Sequence, residues 1–160
     1  MTIRIGGKAM SCWFYQINQE YWPPERFRIE IWENERWSWA PHKLSGSGEP
    51  QPGDSMAFFY AKAGGADPGF YGWAVVLEYH KADDDRKKLY FRPVTPTNHL
   101  KMYPWWNDEA QDIANEVRGP VARGTIWPVS PEQWNRIQKG ITAWVAGRGA
   151  EMSSAARSGV

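Results

Sequence analysis

The residues best suited to do chemistry in this sequence are tryptophans and short amides. Trp37 and Trp39 stand at i and i+2, flanked by Arg36, Ser38, His42 and Lys43 and bounded by Pro41. Two rings so spaced in a polar, irregular segment are hard to bury together, so one of them is expected at the surface or in a cleft. There a Trp offers a flat apolar face and one N–H donor. Gln16 and Asn18 close an aromatic run, and their amides either read a polar edge or cap the end of a strand. Trp13 and Trp73 lie in apolar runs, where the simpler place for any single Trp is the core.

Catalytic groupings are sparse. Lys62 and Glu78 fall on neighbouring expected strands, with no nucleophile–base pair beside them. Asp83-Asp84-Asp85 reads as a solvated hairpin tip, and Asp54 as a turn or cap residue. His42, His80 and His99 are far apart and have no Cys or carboxylate at ligand spacing, so neither a structural zinc nor a cofactor is expected. Cys12 is the single cysteine; it has no disulfide partner within the chain, and its apolar surroundings predict a buried, inert thiol.

The wider composition sets bounds. A chain of 160 residues suits one domain with one core. Eleven Trp, seven Tyr and six Phe are more rings than such a core needs. The net charge is +1, from 19 basic and 18 acidic residues, so a protein that sheathes phosphate backbone is not indicated. Any nucleic-acid contact should be local. Residues 1–8 lack the apolar core of a signal peptide, and no run of about 18 apolar residues occurs, so no membrane partner and a cytoplasmic location are expected.

Ser11–Ile17 predicts a first strand, with Trp13, Tyr15 and Ile17 on one face and Cys12, Phe14 and Gln16 on the other. Pro23-Pro24 breaks it. From Glu25 to Trp39 the pattern is mixed: Phe27, Ile29 and Ile31 alternate like a strand, while Phe27 and Ile31 also share a helix face. An irregular segment with a short strand near Ile29–Trp32 is expected. Gly53-Asp54 launches a strand buried on both faces, Ser55–Tyr60, and a Gly-rich turn leads to Phe70–Leu77. A charged turn precedes a further strand, Leu89–Val94. Two successive aromatic hairpins point to a curled sheet or small barrel. Asp108–Val117 predicts a helix with Asn107 as cap and Gly119-Pro120 as stop. After a short strand at Gly124–Trp127, Ser130-Pro131-Glu132-Gln133 has the form of a capping box opening an amphipathic helix with Trp134, Ile137, Ile141 and Trp144 on one stripe.

Four blocks, in order, resemble the EVE family of the PUA-like superfamily. They are Cys12-Trp13-Phe14-Tyr15-Gln16-Ile17-Asn18, Pro52-Gly53-Asp54 with its strand, Gly69-Phe70-Tyr71-Gly72-Trp73-Ala74-Val75-Val76, and Gly124-Thr125-Ile126-Trp127-Pro128-Val129-Ser130-Pro131-Glu132-Gln133-Trp134. The match spans roughly residues 11 to 145. Where the better-known branch has Lys-Ser-Glu-Pro after the first strand, this chain reads Gln16-Ile17-Asn18-Gln19, and an Arg-Asn-rich segment is absent. The polar groups that would read a base therefore differ.

The resemblance implies an α+β fold: a small, strongly curved PUA-like β-barrel of about five to six mostly antiparallel strands, with peripheral helices and a C-terminal amphipathic helix. It implies a domain over residues 1–146, followed by a flexible tail, 147–160. It implies a non-catalytic module that holds one base of DNA or RNA, a modified one, in an aromatic pocket, working beside an effector protein in trans. On that reading Trp13, Trp37, Trp39 and Trp73 are candidate walls, Gln16 and Asn18 candidate edge readers, and Arg123 a candidate for a flanking phosphate. Two alternatives stand beside it. One is a protein-interaction module with an exposed Trp surface. The other is an ASCH-like ribonuclease, for which Lys62 and Glu78 are the nearest candidates.

Overall fold

The computed structural model describes residues 4–5, 8–18, 20–39, 48–61, 69–81, 86–95, 108–119 and 126–157; Arg4, Ile5, Lys8, Ala9, Trp39, Ala61, Lys81, Asp108 and residues 148–157 are described by their backbone alone. A small hairpin, β1 (Arg4–Ile5) with β2 (Lys8–Ala9), stands apart from a six-stranded sheet. The sheet strands are β3 (Cys12–Asn18), β4 (Arg36–Trp39), β5 (Ser55–Ala61), β6 (Gly69–Lys81), β7 (Lys87–Thr95) and β8 (Ile126–Val129). Their order is β4-β7-β6-β5-β3-β8. Only β3 and β5 run parallel; the other pairs are antiparallel.

Both faces of this sheet are covered. Trp13, Tyr15 and Ile17 of β3 join Met56, Phe58, Tyr60, Tyr71, Ala74, Val76, Leu89 and Phe91 in one core cluster. Phe14, Ala57 and Phe59 point the other way, against α2 (Asp108–Arg118) and α3 (Pro131–Arg157). That two-sided burial is why Ser55–Ala61 reads as an unbroken apolar run rather than an alternating one. The helices bring Ala110, Ile113 and Ala114 from α2 and Trp134, Ile137 and Ile141 from α3. Gln133 N–H donates to Ser130 Oγ at 3.1 Å and Ser130 N–H to Gln133 Oε1 at 3.0 Å, which completes the capping box at the start of α3. The helical backbone continues through Arg157, past Ala146, over a stretch rich in Ala.

The sheet is curled and open. Tyr15 on β3 and Trp37 on β4 are separated by three intervening strands, so a flat sheet would hold their backbones about 19 Å apart. Their rings nevertheless stack with centroids 4.6 Å apart. Register shifts at Phe58/Phe59, Trp73/Ala74 and Val76/Glu78 add the local twist such a curl needs. Among the described residues no ladder joins the two edge strands, β4 and β8.

One element departs from expectation. Ile29–Trp32 is not a strand: α1 (Pro24–Phe27) runs into a π-helical turn, Arg28–Trp32, closed by Glu33 N–H to Arg28 O at 2.9 Å. Pro24 at the first helical position pre-sets the start. Phe27, Ile31 and Trp32, at i, i+4 and i+5, are then buried together, whereas Ile29, which alternation would have buried, is 50% exposed. The widened turn suits the i+5 partner. The helical spacing wins because it buries Phe27, Ile31 and Trp32 where alternation would bury Phe27, Ile29 and Ile31, exchanging an isoleucine for a larger Trp. The segment after it, Arg36–Trp39, is a strand and not an irregular loop.

Candidate functional site

The Gly53-Asp54 step fixes the first wall. Gln51-Pro52-Gly53-Asp54 forms a turn with Asp54 N–H to Gln51 O at 3.0 Å and Gly53 at φ +93°, as a type II turn requires. This delivers the Asp54 carboxylate under β3. It accepts three N–H bonds, from Ser11 N at 3.1 Å, Gln51 N at 2.9 Å and Trp13 Nε1 at 2.9 Å. Asp54 is buried, and it orients the Trp13 indole while using up its only donor. What remains of Trp13 for a ligand is its ring face. Sequence reasoning saw Asp54 as a turn residue and missed its hold on Trp13.

Along the same face Tyr15 continues the aromatic lining. Burial raises its hydroxyl pKa well above the ordinary value, and Tyr79 adds to the effect. Trp37 stacks on Tyr15 and on Phe58, and meets Phe27 and Trp22 edge-on. Trp13 and Trp37 are each 5% exposed, so they form the back of the face rather than its rim. The rim belongs to two half-buried rings packed on this cluster, Trp22 and Tyr79. Trp22 follows β3 closely: its N–H and that of Tyr21 both donate to Asn18 O. Arg26 places its guanidinium 4.3 Å from the centroid of the Trp22 ring. Desolvation, with Glu49 adding to it, pushes the Tyr79 hydroxyl up to about 12.

The sheet divides the other candidates. Gln16 lies on the opposite face from Trp13, where its Oε1 accepts from Arg118 Nη1 at 3.1 Å. Asn18 is exposed and its Oδ1 accepts from Glu20 N–H at 2.9 Å, closing a turn at the strand end. Trp73 sits with Phe14 and Phe59, half-buried and edge-on to Trp134 at 5.3 Å. The structure thus brings Trp13 and Trp37 together and sets Gln16 and Trp73 across the sheet, with Asn18, two residues beyond Gln16, on the Gln16 side of the strand end. Strand alternation already places Gln16 opposite Trp13. For Trp73 the decisive fact is its pairing opposite Ala57, which is not visible in the sequence. Neither Trp22, beside the strand-breaking Pro23-Pro24, nor Tyr79, between Glu78 and His80, carries a sequence signal of its place on this face. Arg123, Lys62, His42, Lys43, Asp83–Asp85, Tyr103–Trp106, Asn107 and the turn at 63–68 lie outside the described residues.

Other chemistry is limited. Glu78 is exposed, with His80 at 3.7 Å. Among the described residues no cluster of His, Cys, Asp or Glu could hold a metal ion, and no helix is long and apolar enough to cross a membrane. The Cys12 thiol is free, and burial, with Asp54 nearby, pushes it up to about 12.

A curled mixed sheet with two helices on one face and an aromatic opposite face make this an α+β fold, with the four blocks that resemble the EVE family on β3, β5, β6 and β8–α3. A protein of known structure from Pseudomonas putida shares it, at a TM-score of 0.51 and 15% identity over 81% of this chain and 98% of that one. At that identity the likeness shows the fold alone. A hypothetical protein from Leishmania major is similar at a TM-score of 0.48 and 12% identity, covering 81% of this chain and 93% of its own. Human THYN1, solved in complex with 5-methylcytosine-containing DNA, is similar at 0.47 and 12%, covering 81% and 96%. No family model and no curated protein matches the sequence.

Proposed function

We propose that this chain is a non-catalytic nucleic-acid-binding module that holds one modified base against the aromatic face of its curled sheet. The observation behind the reading is that this face runs without interruption from the buried Tyr15–Trp37 stack to the half-buried rings of Trp22 and Tyr79. A base stacked on such a ring gains about 1–3 kcal/mol. Trp13 contributes shape and not a hydrogen bond, since Asp54 takes its N–H. Gln16 and Asn18 alternate onto the other side of β3, so on this face the base is selected by ring shape rather than by either amide. A methyl-sized mark adds about 0.8 kcal/mol when buried, enough for modest discrimination by shape. The net charge of +1 fits contact with a few phosphates only. The exposed-Trp reading finds less support: of the eight Trp whose side chains are described, none is exposed.

The test is intrinsic Trp fluorescence during titration with short DNA and RNA strands at low salt, with and without a modified base. The 5-methylcytosine DNA of the human THYN1 complex supplies the first probe. Quenching that depends on the modification, and binding about tenfold weaker in Trp22→Ala, are expected, which is about 1.4 kcal/mol. No response to any strand at low salt would end the proposal.

A further inference from the structure

Three arginines of this fold meet carboxylates. Arg26 pairs with Glu30, Arg28 with Glu25 and Glu33, and Arg136 with Glu116. Arg118, the last residue of α2, is different. Its Nε donates to Ala114 O at 3.2 Å, Nη1 to Gln16 Oε1 at 3.1 Å and Nη2 to Asn115 Oδ1 at 3.0 Å. All three acceptors are neutral. Its guanidinium carbon lies 5.5 Å from the centroid of the Phe59 ring. Among the described residues no carboxylate pairs with it. Burial lowers its pKa, so part of its hydration is already lost. A guanidinium has five N–H donors, so among the described residues two have no acceptor, one on each terminal nitrogen.

A partly desolvated cation held by neutral groups is costly unless something negative completes it. One structural explanation is that Arg118 merely complements the C-terminal end of α2, where a cation and its bond to Ala114 O are favourable. That role needs Nε and the charge. It does not need Gln16, which reaches the guanidinium from β3, 102 positions away in sequence. Gln16 and Asn18 are two residues apart at the carboxyl end of β3, and Asn18 carries Tyr21 and Trp22 on its carbonyl. The guanidinium and the rim ring therefore approach the same end of the same strand from its two faces.

We propose that Arg118, oriented by Gln16 and Asn115, is a phosphate-binding residue that takes one phosphodiester of the bound strand on its two remaining donors. The inference rests on the nucleic-acid reading above. Planar, two-point recognition of phosphate is what a pre-oriented guanidinium does well.

The experiment compares wild type, Arg118→Gln, Arg118→Lys and Gln16→Ala in binding a 5-methylcytosine DNA strand across a range of salt. The thermal midpoint of each variant is recorded to show that it folds. Loss of one phosphate contact lowers the slope of log K against log salt by about 0.7–0.9 in Arg118→Gln. Arg118→Lys keeps the slope and binds more weakly, because the fork is gone. Gln16→Ala weakens binding without moving the slope. Should Arg118→Gln not fold, the Lys and Ala variants decide by the same criteria. An unchanged slope and affinity in the Gln variant overturn the proposal and leave the base-binding reading intact. If wild type binds no strand, that reading falls. The Arg118 Nε–Hε signal is then followed by NMR during titration with inorganic phosphate. A saturable shift, absent in Arg118→Gln, keeps Arg118 as a phosphate site, and no shift overturns it.

Discussion

The indole N–H of Trp13 on β3 donates to Oδ2 of Asp54, the residue that opens the parallel neighbour β5, at 2.9 Å. The same carboxylate receives the backbone N–H groups of Ser11 and Gln51, so one buried side chain ties a turn, a strand start and an aromatic wall. In Asp54→Ala all three donors lose their acceptor. The Trp13 donor is buried and costs about 1–3 kcal/mol unpaired, while the part-buried Ser11 and Gln51 donors recover some bonding from water, so a loss of about 2 kcal/mol or more is expected in urea denaturation. The Trp emission should also move to longer wavelength as the ring is released. A loss under about 1 kcal/mol would mean that water replaces the carboxylate without penalty.

Two backbone positions should respond with opposite signs. Gly53 has φ +93°, and a Cβ there would meet nothing within 4 Å, so Gly53→Ala is destabilising through backbone strain alone, by about 1–2 kcal/mol. Glu35 has φ +56° without being glycine; its carbonyl accepts from Phe91 N–H where β4 begins to pair with β7. Glu35→Gly relieves the strained conformation and should raise stability by up to about 1 kcal/mol. Thermal denaturation of the two variants against wild type checks both signs.

These same residues show how far the sequence could be read. Pro52-Gly53-Asp54 announces a turn, because only a few residue types tolerate its geometry. Ser130 and Gln133 announce a helix start, because their side chains bond reciprocally over three residues. Such signals are local and survive without knowledge of the fold. The π-helical turn at Arg28–Trp32 was not legible, since Phe27, Ile29 and Ile31 satisfy two periods at once and only packing against Phe58 and Tyr71 chooses between them. The site was half legible for a related reason. Tyr15 meets Trp37 only because four inter-strand spacings curl, and Arg118 reaches Gln16 only because α2 lies on the far face. Neither long-range contact leaves a mark in spacing or composition.

Alkaline pH should weaken the fold through Cys12 and Tyr79. The thiol is pushed from 9.0 up to about 12, and the phenol from 10.0 up to about 12, both chiefly by burial. Each group keeps its proton longer in the folded chain than in the unfolded one. Its stabilising share is therefore whole below the unfolded value and is lost as pH rises from about 9 toward 12. The fall in thermal midpoint between pH 8 and pH 11 should be smaller in Cys12→Ala and in Tyr79→Phe than in wild type. At pH 8 the folded thiol should also react with a disulfide reagent more slowly than the unfolded thiol, since less of it is thiolate.

Trp73 gives the sharpest separation of stability from binding. Its Nε1 is buried without a hydrogen-bond partner among the described residues, and its ring meets Trp134 edge-on with an interplanar angle of 88°. An unpaired buried donor costs about 1–3 kcal/mol. Trp73→Phe removes that donor and also some apolar contact, and the two effects oppose each other. The net change in urea denaturation should stay within about 1 kcal/mol, whereas Trp134→Ala on the same contact should lose about 3–5 kcal/mol. Because Trp73 lies across the sheet from Trp13 and Trp37, its replacement by Phe should also leave affinity for a 5-methylcytosine strand unchanged. If Trp73→Phe instead weakens that affinity tenfold at constant stability, the free indole N–H is a ligand donor, and the base is held on the helix-covered face.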